Sequence, residues 1–202
     1  MKTKLIFVIL LSAICLSASA QKFNGGLILG FSGSQVAGDT YSGYNKFGIF
    51  GGGFVNFKFL DLLTLQLEME YVQKGSRHNP NVNVNDVSSY KLNLDYVEVP
   101  LIAKLTIFKG LKAEVGLAGA VLINSYEEIN GNSVSSRAFQ SMNYSTILGI
   151  AFNFTKKFTA SLRTSDSITP IRKVSNSGDV KRYFTYGQWH DLLTLSVQYQ
   201  FR

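Results

Sequence analysis

The chain has 202 residues and a formal net charge of +7, and only 16% of its residues are Asp, Glu, Lys or Arg. A soluble domain carries nearer a quarter charged residues, so this composition argues against an ordinary soluble protein. The positive charge is modest and no basic-aromatic motif accompanies it, so no nucleic-acid partner is expected. The length suits a single domain.

The N-terminus predicts a cleaved secretory signal peptide over residues 1–20. An apolar run at 5–11 follows two lysines, and Ala18-Ser19-Ala20 forms a suitable cleavage site. The alternative is a membrane anchor, but the apolar stretch is short for spanning a bilayer. Cleavage leaves 21–202 as one domain with a net charge of +5, and it removes Cys15, the only cysteine, so the mature chain has no disulfide.

Alternating polarity predicts eight β-strands along the mature chain. At 63–71, every odd residue is apolar and every even residue is polar, as in a strand with one apolar and one polar face. None of the eight apolar faces carries a charged residue, as contact with lipid requires. In chain order these faces lie within residues 23–31, 47–59, 63–71, 97–107, 111–123, 144–154, 158–162 and 193–201.

Short and long connections alternate between the predicted strands. Tight turns are expected at 60–62, 109–110 and 155–157, and aromatic residues gather toward that end of the strands. Outer-membrane barrels have short periplasmic turns, longer outer loops and two aromatic girdles. The pattern therefore predicts an all-β fold, an eight-stranded antiparallel up-and-down transmembrane β-barrel in the outer membrane. A soluble lipocalin-like barrel is the alternative, since periodicity alone does not assign inside and outside. The four long extracellular loops are predicted at 34–46, 74–91, 124–141 and 165–188.

The polar face of the strands carries as many acidic as basic residues. An eight-stranded barrel is only wide enough to be filled by side chains, so these charges predict a neutralising internal network and no channel. Pro100 lies inside the fourth strand and predicts a local bulge, or alternatively a functional kink beside Glu98. The predicted network consists of Lys58, Glu68, Glu70, Glu98, Lys104, Lys112, Glu114 and Arg163.

Two segments carry a family resemblance. Residues 65–75 end in Tyr71-Val72-Gln73-Lys74-Gly75, and residues 94–104 contain Tyr96-Val97-Glu98-Val99-Pro100. A Leu-rich strand ending in Tyr-x-x-Lys-Gly, followed by a Tyr-Val-Glu-Val-Pro strand, resembles the PorT-type outer-membrane β-barrel domain family of Bacteroidetes. The resemblance implies an eight-stranded barrel over the whole mature chain. The member that gives this family its name is associated with protein secretion.

The sequence offers no convincing catalytic, metal or cofactor site. His78 and His190 are the only histidines, and His190 adjoins Asp191, which would point the opposite way on a strand. Neither histidine shows metal-ligand spacing. The chain is therefore predicted to be non-enzymatic and to need no cofactor.

The last long loop is the most basic region and also contains several aromatic residues. Its cations predict contact with lipopolysaccharide phosphates or with a partner, although solvated loop residues are the alternative. They are Arg172, Lys173, Lys181 and Arg182.

Three functions follow from these features as hypotheses. The leading one is an integral, monomeric outer-membrane barrel that anchors loops for binding, adhesion or envelope structure. Its expected partners are outer-membrane lipid, lipopolysaccharide, and envelope or extracellular proteins. The second, implied by the resemblance, is a component of a secretion or envelope-assembly machinery. The third is a barrel-rim enzyme that acts on lipid or peptide through His190.

Overall fold

The computed structural model describes residues 23–81, 83, 85–134, 138–173, 180–183 and 185–201. The predicted signal peptide lies outside these residues and stays a prediction. The described residues form eleven strands, eight of them long. In chain order they are β1 (Phe23–Ala37), β2 (Lys46–Lys58), β3 (Leu63–His78), β4 (Tyr90–Phe108), β5 (Leu111–Ile129), β6 (Asn132–Ser133), β7 (Met142–Asn153), β8 (Phe158–Ser167), β9 (Arg172–Lys173), β10 (Val180–Arg182) and β11 (Thr185–Gln200).

The eight long strands form a closed antiparallel ring, which confirms the predicted fold. Each pairs with its neighbour in the order β1-β2-β3-β4-β5-β7-β8-β11, and β1 pairs with β11 to close the ring. The short strands extend the loop end: β6 pairs with β5, and β9 and β10 pair with β11. Among the described residues, no helix has the length and apolar character needed to cross a membrane.

Burial assigns the two faces of each strand, which periodicity alone left open. On β3, Leu67 and Met69 are 46% and 64% exposed, whereas the alternating Gln66 and Glu68 are each 1% exposed. The apolar face is thus the outer face, and the polar face lines the interior. A soluble barrel would bury its apolar face inward, so the lipocalin-like alternative is wrong.

The strands are longer than the apolar pattern predicted, because the polarity of both faces inverts beyond the lipid-facing band. On β4, Glu98 and Lys104 point inward among the band residues, but Leu92 and Leu94 point inward nearer the loops and are fully buried. The same alternate residues, those with even numbers, point inward in both parts of the strand. Only the outer environment changes, from lipid to water, so the wall there is polar outside and apolar inside.

A single-residue bulge in β5 changes which residues face the interior. Asp95 pairs with Asn124, but Tyr96 pairs with Leu122, so Ile123 is the extra residue. A bulge of this kind reverses the alternation beyond it. Glu127 consequently points inward and is 8% exposed.

The bulge predicted at Pro100 was wrong. On the β3 side of β4, the pairs Leu67–Leu101 and Glu70–Glu98 keep the same register on either side of Pro100. The two intervening pairs are missing from the ladder. Proline has no amide proton to donate, so the ladder is interrupted there without a change of register.

Candidate functional site

The centre of the barrel is an ion cluster built from four strands, β3, β4, β5 and β8, whose side chains meet across the interior. Arg163 on β8 donates two parallel hydrogen bonds of 2.8 Å to the Glu68 carboxylate on β3. Its Nε lies 2.7 Å from Glu114 Oε2 on β5, and Lys104 Nζ on β4 lies 3.0 Å from Glu114 Oε1. All four side chains are at most 5% exposed. An eight-stranded barrel is just wide enough for side chains to fill, and here the filling side chains are paired and hydrogen-bonded charges.

A second ion pair lies nearer the loops and joins the two motifs of the family resemblance. Lys74 Nζ lies 2.6 Å from Glu98 Oε2 and 5.4 Å from the centre of the Tyr96 ring. Ser145 Oγ donates to the other Glu98 oxygen at 3.3 Å. Lys74 was placed in a loop by the sequence reasoning, yet it continues the even-numbered inward phase of β3. That phase was the signal that could have revealed it.

The glycine of the same motif is explained by backbone geometry. Gly75 has a φ of +145°, and a Cβ at this position would overlap the carbonyl oxygen of Leu92 on β4. Only glycine fits such a close approach between strands. The Lys-Gly and Glu-x-Pro elements therefore have structural roles inside this barrel.

Three residues of the predicted network form no ion pair with the members of either cluster among the described residues. Lys58 lies at the mouth of the barrel with a 62% exposed side chain and pairs with Asp61 at 2.8 Å in the adjacent tight turn, so its assignment to the buried charge network was wrong. Lys112 is half-buried near the mouth at the tight-turn end. Glu70 is buried, and its Oε1 has no hydrogen-bond partner among the described residues.

An apolar cluster closes the barrel interior at the loop end. Tyr41 from the first loop stacks on Tyr90 at 5.0 Å and on His78 at 4.6 Å. These rings sit over a buried core that joins several strands to the last loop. Its fully buried members are Ile28, Val36, Leu92, Leu94, Tyr96 and Ile171. The loops therefore pack against this buried apolar core.

The four predicted loop cations occupy different environments. Arg172 is 4% exposed, forms an ion pair with Glu127 and lies 3.8 Å from the centre of the Phe139 ring, so its assignment to an outward contact was wrong. Arg182 makes a two-point ion pair with Asp191 on β11. Lys173 and Lys181 are exposed on the short strands that flank β11. These two lysines are the predicted cations that face the outside.

Neither histidine is arranged as the general base of a hydrolase. His190 is 2% exposed, its ring packs against Tyr96, and neither ring nitrogen has a hydrogen-bond partner among the described residues. His78 Nε2 lies 2.6 Å from Asp86, but Ser88 Oγ donates to Asp86. In a catalytic triad the histidine bridges the serine and the acid. Here the aspartate is the bridge, so Ser88 is not activated as a nucleophile.

The contacts of Asp86 instead order the second loop. Hydrogen bonds from the hydroxyl and backbone amide of Ser88, together with His78, lower the pKa of Asp86 to about 2. Asp86 therefore stays ionised at any pH near neutrality. Its backbone also forms a bridge to Asn81, which closes the loop.

Residues 19–173 match the family model described as outer membrane protein beta-barrel domain. The chain belongs to this family. Membership in the outer membrane protein β-barrel domain family assigns the protein to an outer membrane, consistent with its apolar outer wall. The comparison with curated protein sequences finds no match.

Solved structures with this fold support the same architecture. One is Ail, the attachment invasion locus protein of Yersinia pestis, in complex with the heparin analogue sucrose octasulfate. It has 14% identity and a TM-score of 0.51 over 89% of this chain and 99% of that chain. Another is Neisserial surface protein A, with 12% identity and a TM-score of 0.55 over 89% of this chain and 97% of that chain. At these identities the likeness concerns the fold alone.

Proposed function

We propose that this outer-membrane barrel is a non-enzymatic anchor that displays its loop end as a binding or adhesive surface. The observation that carries the proposal is the apolar cluster under the loops. It holds Tyr41, Tyr90 and Ile171 in a packed core, so the exposed side chains above it are presented on an ordered platform. Pre-ordering a surface lowers the entropy lost on binding.

The outward chemistry of this platform favours an anionic partner. Lys173 and Lys181 are exposed beside β11, and Lys181 Nζ lies 5.6 Å from the centre of the exposed Tyr186 ring. Lysine ammonium groups and aromatic faces are common contacts for phosphate, sulfate and sugar. Lipopolysaccharide phosphates and sulfated polysaccharides both present such groups. The Ail complex with sucrose octasulfate supplies a convenient probe for this class of ligand.

Titration of the refolded protein with sucrose octasulfate in maltoside micelles tests the proposal. We expect saturable binding, weakened by about tenfold or more when Lys173→Gln and Lys181→Gln are combined, because two charge-assisted contacts are lost. Lys91→Gln is the matched control, since Lys91 is an exposed lysine elsewhere at the loop end. Absence of binding, or an equal loss in the control variant, would argue against the platform as an anion-binding surface.

A role in a secretion or envelope-assembly machinery is the second candidate, and PorT-type membership remains part of that proposal. Its support is the pair of motifs that meet through Lys74 and Glu98. Affinity purification of the tagged protein from detergent extracts of outer membrane tests this role. Stable recovery of envelope proteins with the wild-type barrel would favour it, and recovery of none would count against it.

A further inference from the structure

A polar cavity opens into the barrel at the tight-turn end, opposite the loops. It has a volume of about 190 Å³, and five lysines line it together with uncharged polar side chains. None of the described residues that line it carries a carboxylate. The lysines are Lys58, Lys104, Lys112, Lys156 and Lys157.

The positive charge in this cavity is only partly neutralised. Lys58 pairs with Asp61, and Lys104 pairs with Glu114 deeper in the barrel. Within the described part of the chain, no carboxylate lies within 4.0 Å of the amine of Lys112, Lys156 or Lys157. A cleft lined by one sign of charge and walled by low-dielectric material concentrates counter-ions.

A buried amide in the cavity wall also lacks an acceptor. Gln198 is 3% exposed, and its Oε1 accepts hydrogen bonds from Lys104 at 2.8 Å and from Gln66 at 3.3 Å. Because both neighbours are donors, the amide oxygen is fixed toward them and Nε2 is left as a donor. This Nε2 is buried and has no hydrogen-bond partner among the described residues. Gln198 lines the cavity, so a rotation of its amide that exposes Nε2 would let a bound oxyanion supply the missing acceptor.

We propose that this mouth is a binding site for a small oxyanion of the phosphate class. Three lysine amines provide charge, and the Gln198 amide in the cavity wall provides a further donor once it turns toward the anion. The volume is below the roughly 300–1,000 Å³ of pockets for drug-sized ligands, so one or two phosphate groups suit it better than a larger molecule. Short turns face the periplasm in such barrels, so free phosphate compounds or the headgroups of inner-leaflet phospholipids would reach the site.

Calorimetric titration of the refolded protein with inorganic pyrophosphate at low salt, in maltoside micelles, tests the proposal. We expect saturable binding at one site, weakened by about tenfold in Lys112→Gln, as loss of one charge-assisted hydrogen bond implies. Lys157→Gln should act in the same direction. Lys109→Gln is the control, because Lys109 is an exposed lysine in the neighbouring tight turn and does not line the cavity. Shifted gel mobility without boiling verifies that each variant is folded.

Two results would overturn the site. One is the absence of saturable binding. The other is an equal weakening by Lys109→Gln and Lys112→Gln, which would mean that the positive charge of the whole rim attracts pyrophosphate without a specific site. A second titration in vesicles separates the two sources of phosphate. If phosphatidylglycerol added to phosphatidylcholine vesicles competes with pyrophosphate, a lipid headgroup occupies the site. If it does not compete, the site is selective for a soluble anion.

Discussion

Replacing Arg163 by methionine removes the cation at the centre of the barrel while keeping most of its volume. Arg163 donates four hydrogen bonds to carboxylates, two to Glu68 and two to Glu114, and a fifth to Ser161 Oγ. In the variant, Lys104 still pairs with Glu114, but Glu68 loses its ion-pair partner within the described residues and keeps a hydrogen bond from Gln66. A buried charge left without its partner costs about 3–5 kcal/mol, so we expect a loss of unfolding free energy of that size.

The double variant Glu68→Met with Arg163→Met separates this explanation from a simple packing defect. It removes both members of the pair, and replacing a buried ion pair by apolar side chains is close to neutral. We therefore expect the double variant to be more stable than Arg163→Met alone. Lys58→Met, which disrupts the exposed pair with Asp61, should leave the unfolding midpoint unchanged.

Urea unfolding in lipid vesicles measures these differences. Trp189 is the only tryptophan of the chain and is fully buried, so its fluorescence reports unfolding. The midpoint and slope of the transition give the free energy. The reasoning is refuted if Arg163→Met lies within about 1 kcal/mol of the wild type. It is also refuted if the losses of unfolding free energy measured for Glu68→Met alone and Arg163→Met alone simply add in the double variant.

Three further predictions concern the loop half of the barrel. Lys74→Met leaves the buried Glu98 carboxylate without its cation, and the same urea assay should show a loss of about 3–5 kcal/mol; a loss below about 1 kcal/mol would contradict the pairing. Gly75→Ala places a Cβ against the Leu92 carbonyl oxygen at positive φ, so we expect a loss of unfolding free energy of about 1–3 kcal/mol or more. An unchanged free energy would contradict the close approach of the two strands. Burial raises the pKa of Asp39 in the first loop above its ordinary value of 3.8. The ionised carboxylate therefore lowers the free energy of unfolding at neutral pH, and this cost is absent below pH 3.8. Asp39→Asn should therefore raise the unfolding midpoint at pH 7, and this gain should shrink as the pH falls through the raised pKa and be absent below 3.8; equal gains at pH 7 and below 3.8 would contradict the assignment.

The membrane-embedded half of the fold could be predicted from the sequence because lipid imposes a simple rule on it. Outward side chains there are uncharged and mostly apolar, so a period of two marks the strands and their inward residues. Glu68, Lys104, Glu114 and Arg163 were accordingly assigned to one interior, and the structure places them in contact. Their individual pairings could not be predicted, because they depend on the stagger of strands around the ring.

The strands and inward residues of the loop half could not be predicted from a period of two, for two physical reasons. Above the lipid band the polarity of the faces inverts, so Leu92 and Leu94 no longer mark an outer face and β4 was predicted to start too late. The bulge at Ile123 then reverses the alternation, which turns Glu127 inward to meet Arg172. Such pairs depend on tertiary packing and bulge position, which leave no periodic signal.

The most direct test of the central claim, that a filled barrel acts through its surfaces, is ion conductance across a planar lipid bilayer. The ion cluster around Arg163 and the apolar cluster around Leu92 each close the interior. We predict that the refolded protein, inserted and verified as folded, gives no large stable conductance steps. Stable ohmic steps at modest voltage would show a continuous aqueous path and would contradict the account.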